Sequence, residues 1–264
     1  MKNDILDRQM HDNRIKNEIA CRWDTYAETY DSFVSHGVQT EEEKKLWVDA
    51  FLKAIDQDMK NLTVLDVGCG TGAIGLIFAE MGCSVTGIDL SEKMMETGRQ
   101  KAGERGLAMK FISGDAEYPP FPGNEFDIVL SRHLLWTLPH PIEALRSWRR
   151  ILKPGGKSLV IAGVWDDGTL KTRILKSMST TLGMIFDPVH VEKLTYSSEL
   201  RQHLPHLGGI SEEDARYLFE QAGFQNIRVY DLRNIRENQK KRSLWFEELT
   251  PLGTYYLISG TKRE

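Results

Sequence analysis

The residues whose types and spacing are best suited to bind a ligand lie in one short stretch, 64–72, with the sequence VLDVGCGTG. An apolar, strand-like run ends near Asp66, and Gly68, Gly70 and Gly72 follow at alternate positions. Glycines at this spacing let the backbone approach a ligand closely and expose the first N–H groups of a following helix. A carboxylate beside such a turn repels a pyrophosphate and attracts a cation. The stretch therefore predicts a site for a positively charged nucleoside cofactor.

The same spacing weakens one rival interpretation, a nicotinamide oxidoreductase on a similar sheet. The dinucleotide fingerprint is G-x-G-x-x-G, and the residue at the position of its third glycine is Ala73. Asp66 also disfavours the pyrophosphate of a dinucleotide. A titration that gave tight NADH binding without binding of the cationic cofactor would reverse this preference.

Two further acids follow at the ends of the next predicted strands. Asp89 lies about twenty residues beyond the glycine loop, where a carboxylate can accept hydrogen bonds from both ribose hydroxyls. Asp115 follows the third strand and can accept from an exocyclic adenine amine, while the next backbone N–H donates to the ring. A single strand-terminal Asp is more often a helix N-cap or a turn former. Three successive strands that end in acids favour a binding site.

Short β-branched runs alternate with longer helical patterns from residue 63 to about 163, which predicts a parallel sheet covered by helices. Lys153-Pro154-Gly155-Gly156 is a strong helix breaker. Helices are predicted at about 71–81, 91–104, 141–152 and 211–223. Strands are predicted at Thr63–Val67, Ser84–Ile88, Met109–Ile112, Phe126–Ser131, Lys157–Ala162, Gln225–Leu232 and Gly253–Lys262.

These elements predict the α/β class, with a doubly wound, seven-stranded and mostly parallel sheet. Residues 1–60 are expected to form a helical N-terminal arm or lid, and residues 61–165 the cofactor-binding core. Residues 166–210 are expected to form a cap inserted after strand 5, and residues 211–264 to complete the sheet of this single enlarged domain. Ligands of such sheets bind at the carboxyl ends of the strands, so the arm and the cap can both cover the site.

Composition narrows the class of partner and the compartment. The 264 residues carry a net charge of −4, which gives no sign of the basic field that nucleic-acid binding needs. Three scattered cysteines argue against a disulfide framework. His203 and His206 lack further nearby ligands, so no metal site is expected. Without an apolar span or signal-peptide core, the chain is expected to be cytoplasmic.

The chain resembles the class I S-adenosylmethionine-dependent methyltransferases, especially the group that includes the enzymes of ubiquinone and menaquinone biosynthesis. The resemblance implies a Rossmann-like fold, S-adenosylmethionine as the cofactor and S-adenosylhomocysteine as its product. It covers roughly residues 23–165. The motifs that carry it are VLDVGCGTG, VTGIDLS, GDAEYPPFP, FDIVLSRHLLWTL and ILKPGG, in the order and spacing of that family.

The resemblance also implies where the cofactor binds. Asp66, Gly68, Gly70 and Gly72 would surround its methionine part. Asp89 would bind the ribose, Leu90 would lie against adenine, and Asp115 with Ala116 would contact its edge. Arg132 would close the pocket from the fourth strand. An aromatic-rich segment near the N-terminus, residues 23–31, would add Tyr26 and Tyr30, which are spaced to share one face of a helix. For both tyrosines, packing of the arm onto the domain is an equal alternative.

Candidate catalytic residues follow the fourth strand. Methyl transfer from a sulfonium is an in-line displacement, and a base is needed only when the acceptor must first lose a proton. His133 is the leading candidate base, although simple packing of its ring is the alternative. Trp136 could stack on the acceptor or belong to the core.

The function predicted is methyl transfer to a small-molecule acceptor at an N, O, S or C atom that these residues do not specify. A methyltransferase acting on RNA or protein and a non-catalytic module that binds the cofactor are the alternatives. The oligomeric state cannot be inferred from the sequence.

Overall fold

The computed structural model describes residues 2–187, 196–250 and 253–263 of the chain. Within these ranges seven strands form one sheet, in the order β3-β2-β1-β4-β5-β7-β6. The strands β1 to β7 are Thr63–Val67, Ser84–Asp89, Met109–Ser113, Phe126–Arg132, Leu152–Val164, Gln225–Asp231 and Thr254–Thr261.

The strand order places the ligand crevice. β1 pairs in parallel with both β2 and β4, so the chain reverses its direction of winding at β1. β7 runs antiparallel between β5 and β6. The predicted α/β class and the doubly wound, mostly parallel seven-stranded sheet are therefore confirmed. In such sheets a crevice opens at the carboxyl ends of the strands beside the reversal.

Helices cover both faces because alternate strand residues point to opposite sides. The helices α1 to α9 are Lys2–Asp24, Glu41–Ile55, Gly75–Glu80, Glu92–Glu104, Pro141–Ile151, Leu170–Phe186, Ser198–His203, Glu212–Gln221 and Arg233–Lys240. Leu65 of β1 packs in one apolar layer with Trp148 of α5, and α8 adds to that layer. Its neighbour Val64 packs in the opposite layer with Trp47 of α2, which α3 and α9 complete.

Capping fixes where several helices begin. The side chains of Thr40, Ser91 and Ser211 each accept a hydrogen bond from the backbone N–H three residues later. Each bond satisfies a donor that has no partner within the helix. α2, α4 and α8 therefore start immediately after these residues.

Several boundaries differ from the sequence-based prediction, most of them by one or two residues. The helix expected from residue 71 begins only at Gly75, because Gly68, Gly70 and Gly72 have φ values of +65°, +52° and +69°, outside the right-handed helical region. β5 begins at Leu152 rather than Lys157, since Leu152 already pairs with Phe126. The helix expected at 141–152 consequently ends at residue 151.

The N-terminal segment contains two structurally different parts. α2 is a layer of the core, where Trp47 and Phe51 are fully buried. α1 instead joins a separate apolar cluster, in which Ile19 packs with Trp136 and with Leu200 of α7. α1 therefore packs with a helix of the inserted segment.

Candidate active site

A cavity of about 70 Å³ opens at the carboxyl ends of β1, β2 and β4. Most of the residues predicted to bind the cofactor line it, together with the candidate base. These residues are Tyr30, Gly68, Gly70, Asp89, Leu90, Asp115, Ala116, Arg132 and His133. We call this the donor cavity. The structure therefore brings residues from the arm, the glycine loop and three strands to one place.

Three residues of the predicted set do not line the donor cavity. Asp66 is 3% exposed beneath the glycine loop, where its Oδ2 accepts the Gly75 N–H at 3.1 Å. Gly72 faces Phe111, because a Cβ at Gly72 would lie 3.1 Å from that ring. Both residues shape the loop from behind. Burial raises the pKa of Asp66 to about 7, against the opposing attraction of the Arg132 charge.

Tyr26 also departs from the prediction, because the chain from residue 23 to 30 is not one helix. α1 ends at Asp24 and is followed by turns, with a short 3₁₀ helix at Tyr30–Ser32. The Tyr26 ring packs 6.3 Å from that of Phe33, and its hydroxyl accepts from Arg22. Tyr26 therefore holds the arm together, while Tyr30 faces the cavity.

Asp89 connects the glycine loop with the cavity. Its Oδ2 accepts the Gly70 N–H at 2.8 Å, and its Oδ1 accepts the Ser91 N–H at 2.9 Å. Burial raises the pKa of Asp89, and these hydrogen bonds oppose that shift because they favour the carboxylate. Asp89 consequently holds the loop in place from the end of β2.

At the end of β3, two acids hold a lysine that comes from α1. Lys16 Nζ lies 2.7 Å from Asp115 Oδ2 and 2.6 Å from Glu117 Oε2. Burial disfavours the Lys16 charge, yet the hydrogen bonds to both acids outweigh it and raise the pKa of Lys16. The wall that contains Asp115 is thus closed by the N-terminal arm.

Arg132 ends β4 and extends into the donor cavity. Its Nη2 donates to the backbone oxygen of His36, while its buried Nη1 has no hydrogen-bond partner in the described part of the chain. Buried guanidinium groups normally bind an acceptor with every edge. Nη1 is therefore a buried donor that the described hydrogen bonds leave unsatisfied.

His133 has an unusual backbone and a neutral ring. Its φ is +57°, in the left-handed region, and its ring stacks on Tyr255 with centroids 5.6 Å apart. Burial lowers the pKa of His133 well below its ordinary value, and the charges of Arg132 and Arg236 lower it further. The imidazole is therefore neutral, and its cationic neighbours make it a weaker proton acceptor than an ordinary histidine.

A second cavity, of about 610 Å³, lies on the other side of His133. Trp23, Tyr30 and His133 line both cavities and so form their common boundary. Trp136 lines only the second cavity, where its ring packs edge-on against Trp165 with centroids 5.1 Å apart. We call this the acceptor cavity.

Some lining residues were not predicted from the sequence. Lys16, Ile19 and Trp23 come from the arm, and Met94 comes from α4. The WD pair at 23–24 was recognised within an aromatic segment, but the spacing favoured Tyr26 over Trp23. The sequence of α1 has no clear apolar stripe, so no local signal marked Lys16, Ile19 or Trp23 as lining residues.

The described residues contain neither a metal-binding cluster nor a helix suited to cross a membrane. Within the described ranges, no cluster of three or more His, Cys, Asp or Glu could hold a metal ion. Among the helices in those same parts of the chain, none is both long and apolar enough to cross a membrane.

Comparison with known proteins adds three findings. Residues 65–160 match the family described as a methyltransferase domain. A demethylmenaquinone methyltransferase of Staphylococcus aureus is 32% identical over 232 residues, which cover 83% of this chain and 90% of that protein. Among solved structures, the [4+2]-cyclase SpnF superposes with a TM-score of 0.63 at 20% identity, over 93% of this chain and 95% of that one.

A complex of Haemonchus contortus phosphoethanolamine N-methyltransferase 2 with S-adenosyl-L-methionine has the same TM-score, 0.63, at 17% identity. The alignment covers 91% of this chain and 57% of that one. At these identities the structural matches show the fold alone. The sheet, the glycine loop and the family match together define an S-adenosylmethionine-dependent methyltransferase of class I. The chain belongs to that family, in the group of the menaquinone and ubiquinone methyltransferases.

Proposed function

We propose that the protein transfers a methyl group from S-adenosylmethionine, bound in the donor cavity, to a small molecule in the acceptor cavity. The observation that carries this assignment is the common boundary formed by Trp23, Tyr30 and His133. Displacement at a methyl carbon needs donor and acceptor aligned on opposite sides of that carbon, with water excluded. Two cavities that meet at an aromatic boundary meet both requirements.

The residues of the donor cavity fit S-adenosylmethionine. We assign Asp89 to the ribose hydroxyls, Leu90 to the adenine face, and Asp115 with the Ala116 N–H to the adenine edge. Gly68 and Gly70 leave room for the methionine part, since a Cβ at Gly70 would lie 3.0 Å from Met94. We assign Arg132, which lines the same cavity, to the carboxylate of the methionine part.

The covering elements are assigned from the same contacts. α1 and the turn that follows it, to about residue 35, form the lid proper, whereas α2 stays in the core. The inserted segment supplies the outer wall of the acceptor cavity through Lys176 and Gly183 of α6. Residues 188–195, which were predicted to be part of the cap, lie outside the described residues.

The chain's own residues then have simple roles. When bound, the cofactor supplies a methyl group already activated by its sulfonium. His133 accepts the proton of an acceptor hydroxyl, thiol or ammonium, and Tyr255, whose hydroxyl lies 3.4 Å from its Nε2, orients the ring. Trp23, Tyr30 and Trp136 exclude water and hold the acceptor by stacking.

Calorimetry with S-adenosylhomocysteine tests the donor site. Asp89→Asn keeps the shape of the side chain but removes the charged ribose acceptor, so we expect affinity to fall by about tenfold or more. Asp49→Asn, at an exposed position of α2, is the matched control and should bind like the parent. Equal affinity of both variants would remove Asp89 from the ribose.

Turnover tests the acceptor side. His133→Asn keeps a residue that tolerates a positive φ, so the backbone is preserved while the base is lost. We expect unchanged affinity for S-adenosylhomocysteine and turnover lower by about a hundredfold on a hydroxyl, thiol or amine acceptor. Methylation of RNA or protein, but of no metabolite in a broad panel, would overturn the small-molecule assignment.

A further inference from the structure

Arg236 of α9 is a cation of the acceptor cavity that no carboxylate of the described residues contacts. It lines the cavity, and no Asp or Glu oxygen of the described residues lies within 4 Å of its guanidinium. Within the same residues, the one hydrogen bond of its guanidinium is a long one, 3.4 Å, to Gln239 Oε1. Burying an arginine without a counterion costs stability, so this position invites a ligand that supplies the anion.

The nearest internal carboxylate is already paired with another arginine. Glu43 is fully buried, and its Oε2 accepts from Arg242 Nη2 at 2.6 Å. Its Oε1 accepts from the Gln239 amide at 2.7 Å. Since both oxygens of Glu43 are taken, the guanidinium of Arg236, which lines the cavity, has no carboxylate contact among the described residues.

Packing fixes the guanidinium of Arg236 close to the proposed base. Its Cζ lies 4.2 Å from the centroid of the Tyr255 ring, and the same ring stacks on His133. A cation held on an aromatic ring loses little further freedom when it binds an anion. An anionic group at Arg236 would therefore lie one ring away from His133.

The other residues that line the acceptor cavity indicate the charge and the shape of the ligand. Among the described residues that line this cavity, four are cationic, Lys176, Arg201, Arg236 and Lys240, and two are carboxylates, Asp166 and Glu247. The same cavity has an aromatic cluster, in which Trp136 packs edge-on against Trp165 and at a tilt against Tyr196. Aromatic side chains favour planar rings, which they contact by edge-to-face or offset-stacked packing.

The geometry points to an acceptor that is a small aromatic carboxylate, with its carboxylate paired to Arg236 and its ring packed on the Trp136 and Trp165 wall. This assignment rests on the proposed function, because it names the substrate class of the same acceptor cavity. It excludes neutral aromatic compounds and organic cations as the preferred class. On this assignment, the protein selects its acceptor by charge.

Two isosteric probes test the assignment by calorimetry, with the protein saturated by S-adenosylhomocysteine. The anionic probe is 2-naphthoate and the neutral one is 2-naphthylmethanol. We expect 2-naphthoate to bind the parent protein about tenfold more tightly, because only it can form the charge-assisted pair with Arg236. Equal affinities, or no binding of 2-naphthoate, would overturn the assignment.

Variants of α9 locate the effect. Arg236→Met should lower the affinity for 2-naphthoate about tenfold and leave that for 2-naphthylmethanol unchanged, and Arg236→Lys should recover part of the loss. Arg233→Met is the matched control, since Arg233 is exposed on the same helix and pairs with Asp231. An equal loss in the Arg233 and Arg236 variants, or a loss for both probes, would contradict the pairing.

The saturating S-adenosylhomocysteine keeps the two proposals separable. If S-adenosylhomocysteine itself does not bind, the donor site and the proposed function fail. If it binds normally and the probes do not discriminate by charge, only the assignment of the acceptor class fails. Unchanged affinity of the Arg236 variants for S-adenosylhomocysteine also verifies that they are folded.

Discussion

Asp66 carries the carboxylate from which the cationic cofactor was first predicted, yet it lies behind the loop rather than in the donor cavity. Its Oδ2 holds the Gly75 N–H at the start of α3. Burial is the main cause that raises its pKa to about 7. The carboxyl group therefore serves the shape of the glycine loop, and its ionisation should be visible in folding stability.

We expect the stability of the ligand-free protein to fall as the pH rises from 5.5 to 8. The folded-state pKa of Asp66 is about 7, above the ordinary value near 4, so the folded state holds a proton that the unfolded state has lost. This difference in bound protons lowers the free energy of unfolding as the pH rises to about 7. Between pH 5.5 and 8, the free energy of unfolding of Asp66→Asn should therefore decrease by about 2 kcal/mol less than that of the parent.

Urea unfolding of the parent and of Asp66→Asn at pH 5.5 and 8 measures the effect. Asparagine can still accept the Gly75 N–H, so the comparison isolates the charge. Asp49→Asn, whose side chain is exposed, should follow the parent. A pH dependence of the Asp66 variant equal to that of the parent would show that Asp66 is ionised at pH 5.5.

Residues next to a motif were predictable and residues brought in by tertiary packing were not. Asp89 and Asp115 line the cavity because each lies at or just beyond the end of a strand, and strand ends meet at one edge of the sheet. Lys16 and Trp23 line it because α1 docks there, which no local pattern encodes. The position of the Arg132 guanidinium also depends on packing, since its Nη2 donates to the backbone oxygen of His36.

At the scale of elements, α2 and α9 are joined by one buried carboxylate. Glu43 of α2 accepts hydrogen bonds from Arg242, just after α9, from Gln239 within it and from Trp47 of its own helix. α9 is short and polar, and Ile235 is its one fully buried apolar side chain. The Glu43 network therefore holds α9 on the body of the protein.

Glu43→Ala should lower the free energy of unfolding by about 3 kcal/mol or more. The substitution leaves the Arg242 charge and the Gln239 amide partly buried without their acceptor. Glu42→Ala is the matched control, because Glu42 is exposed and pairs with Lys241 at 3.3 Å on the surface. Urea unfolding of both variants gives the difference. Similar values for the two would mean that the buried network contributes no more than a surface pair.

The predicted elements agree with the structure where periodicity is strong and differ where pairing or capping decides. β1 matches its prediction residue for residue, Thr63–Val67, because the run is rich in β-branched and apolar residues and the turn at Gly68 ends it. β5 extends back through the Lys153–Gly156 breaker, because Leu152 finds a partner in β4. α9 was not predicted at all, since Arg233–Lys240 lacks a continuous apolar stripe.

At the scale of the whole molecule, the arm and the core must separate for the donor to enter. The donor cavity has a volume of about 70 Å³, whereas sites for ligands of this size are several hundred Å³, on the order of 300 or more. Lys16 bridges α1 to Asp115 and Glu117, and Asp24 accepts from Ser91 at 2.5 Å. These contacts keep the arm closed over the cavity.

Removing the lysine bridge should therefore speed entry of the ligand. In Lys16→Met the arm loses both ion pairs but keeps Ile19 and its apolar packing, so the open state becomes more populated. We expect the association rate constant of S-adenosylhomocysteine to rise several-fold, followed by stopped-flow tryptophan fluorescence, since Trp23 lies in the arm and contacts Trp136.

Lys45→Met serves as the matched control for charge, because Lys45 is exposed on α2 and forms no ion pair within the described residues. Its association rate should equal that of the parent. The dissociation rate of Lys16→Met should rise as well, because the same two contacts that delay entry retain the ligand once the arm closes. An unchanged association rate in Lys16→Met would mean that S-adenosylhomocysteine enters without opening the arm, by way of the acceptor cavity and past His133.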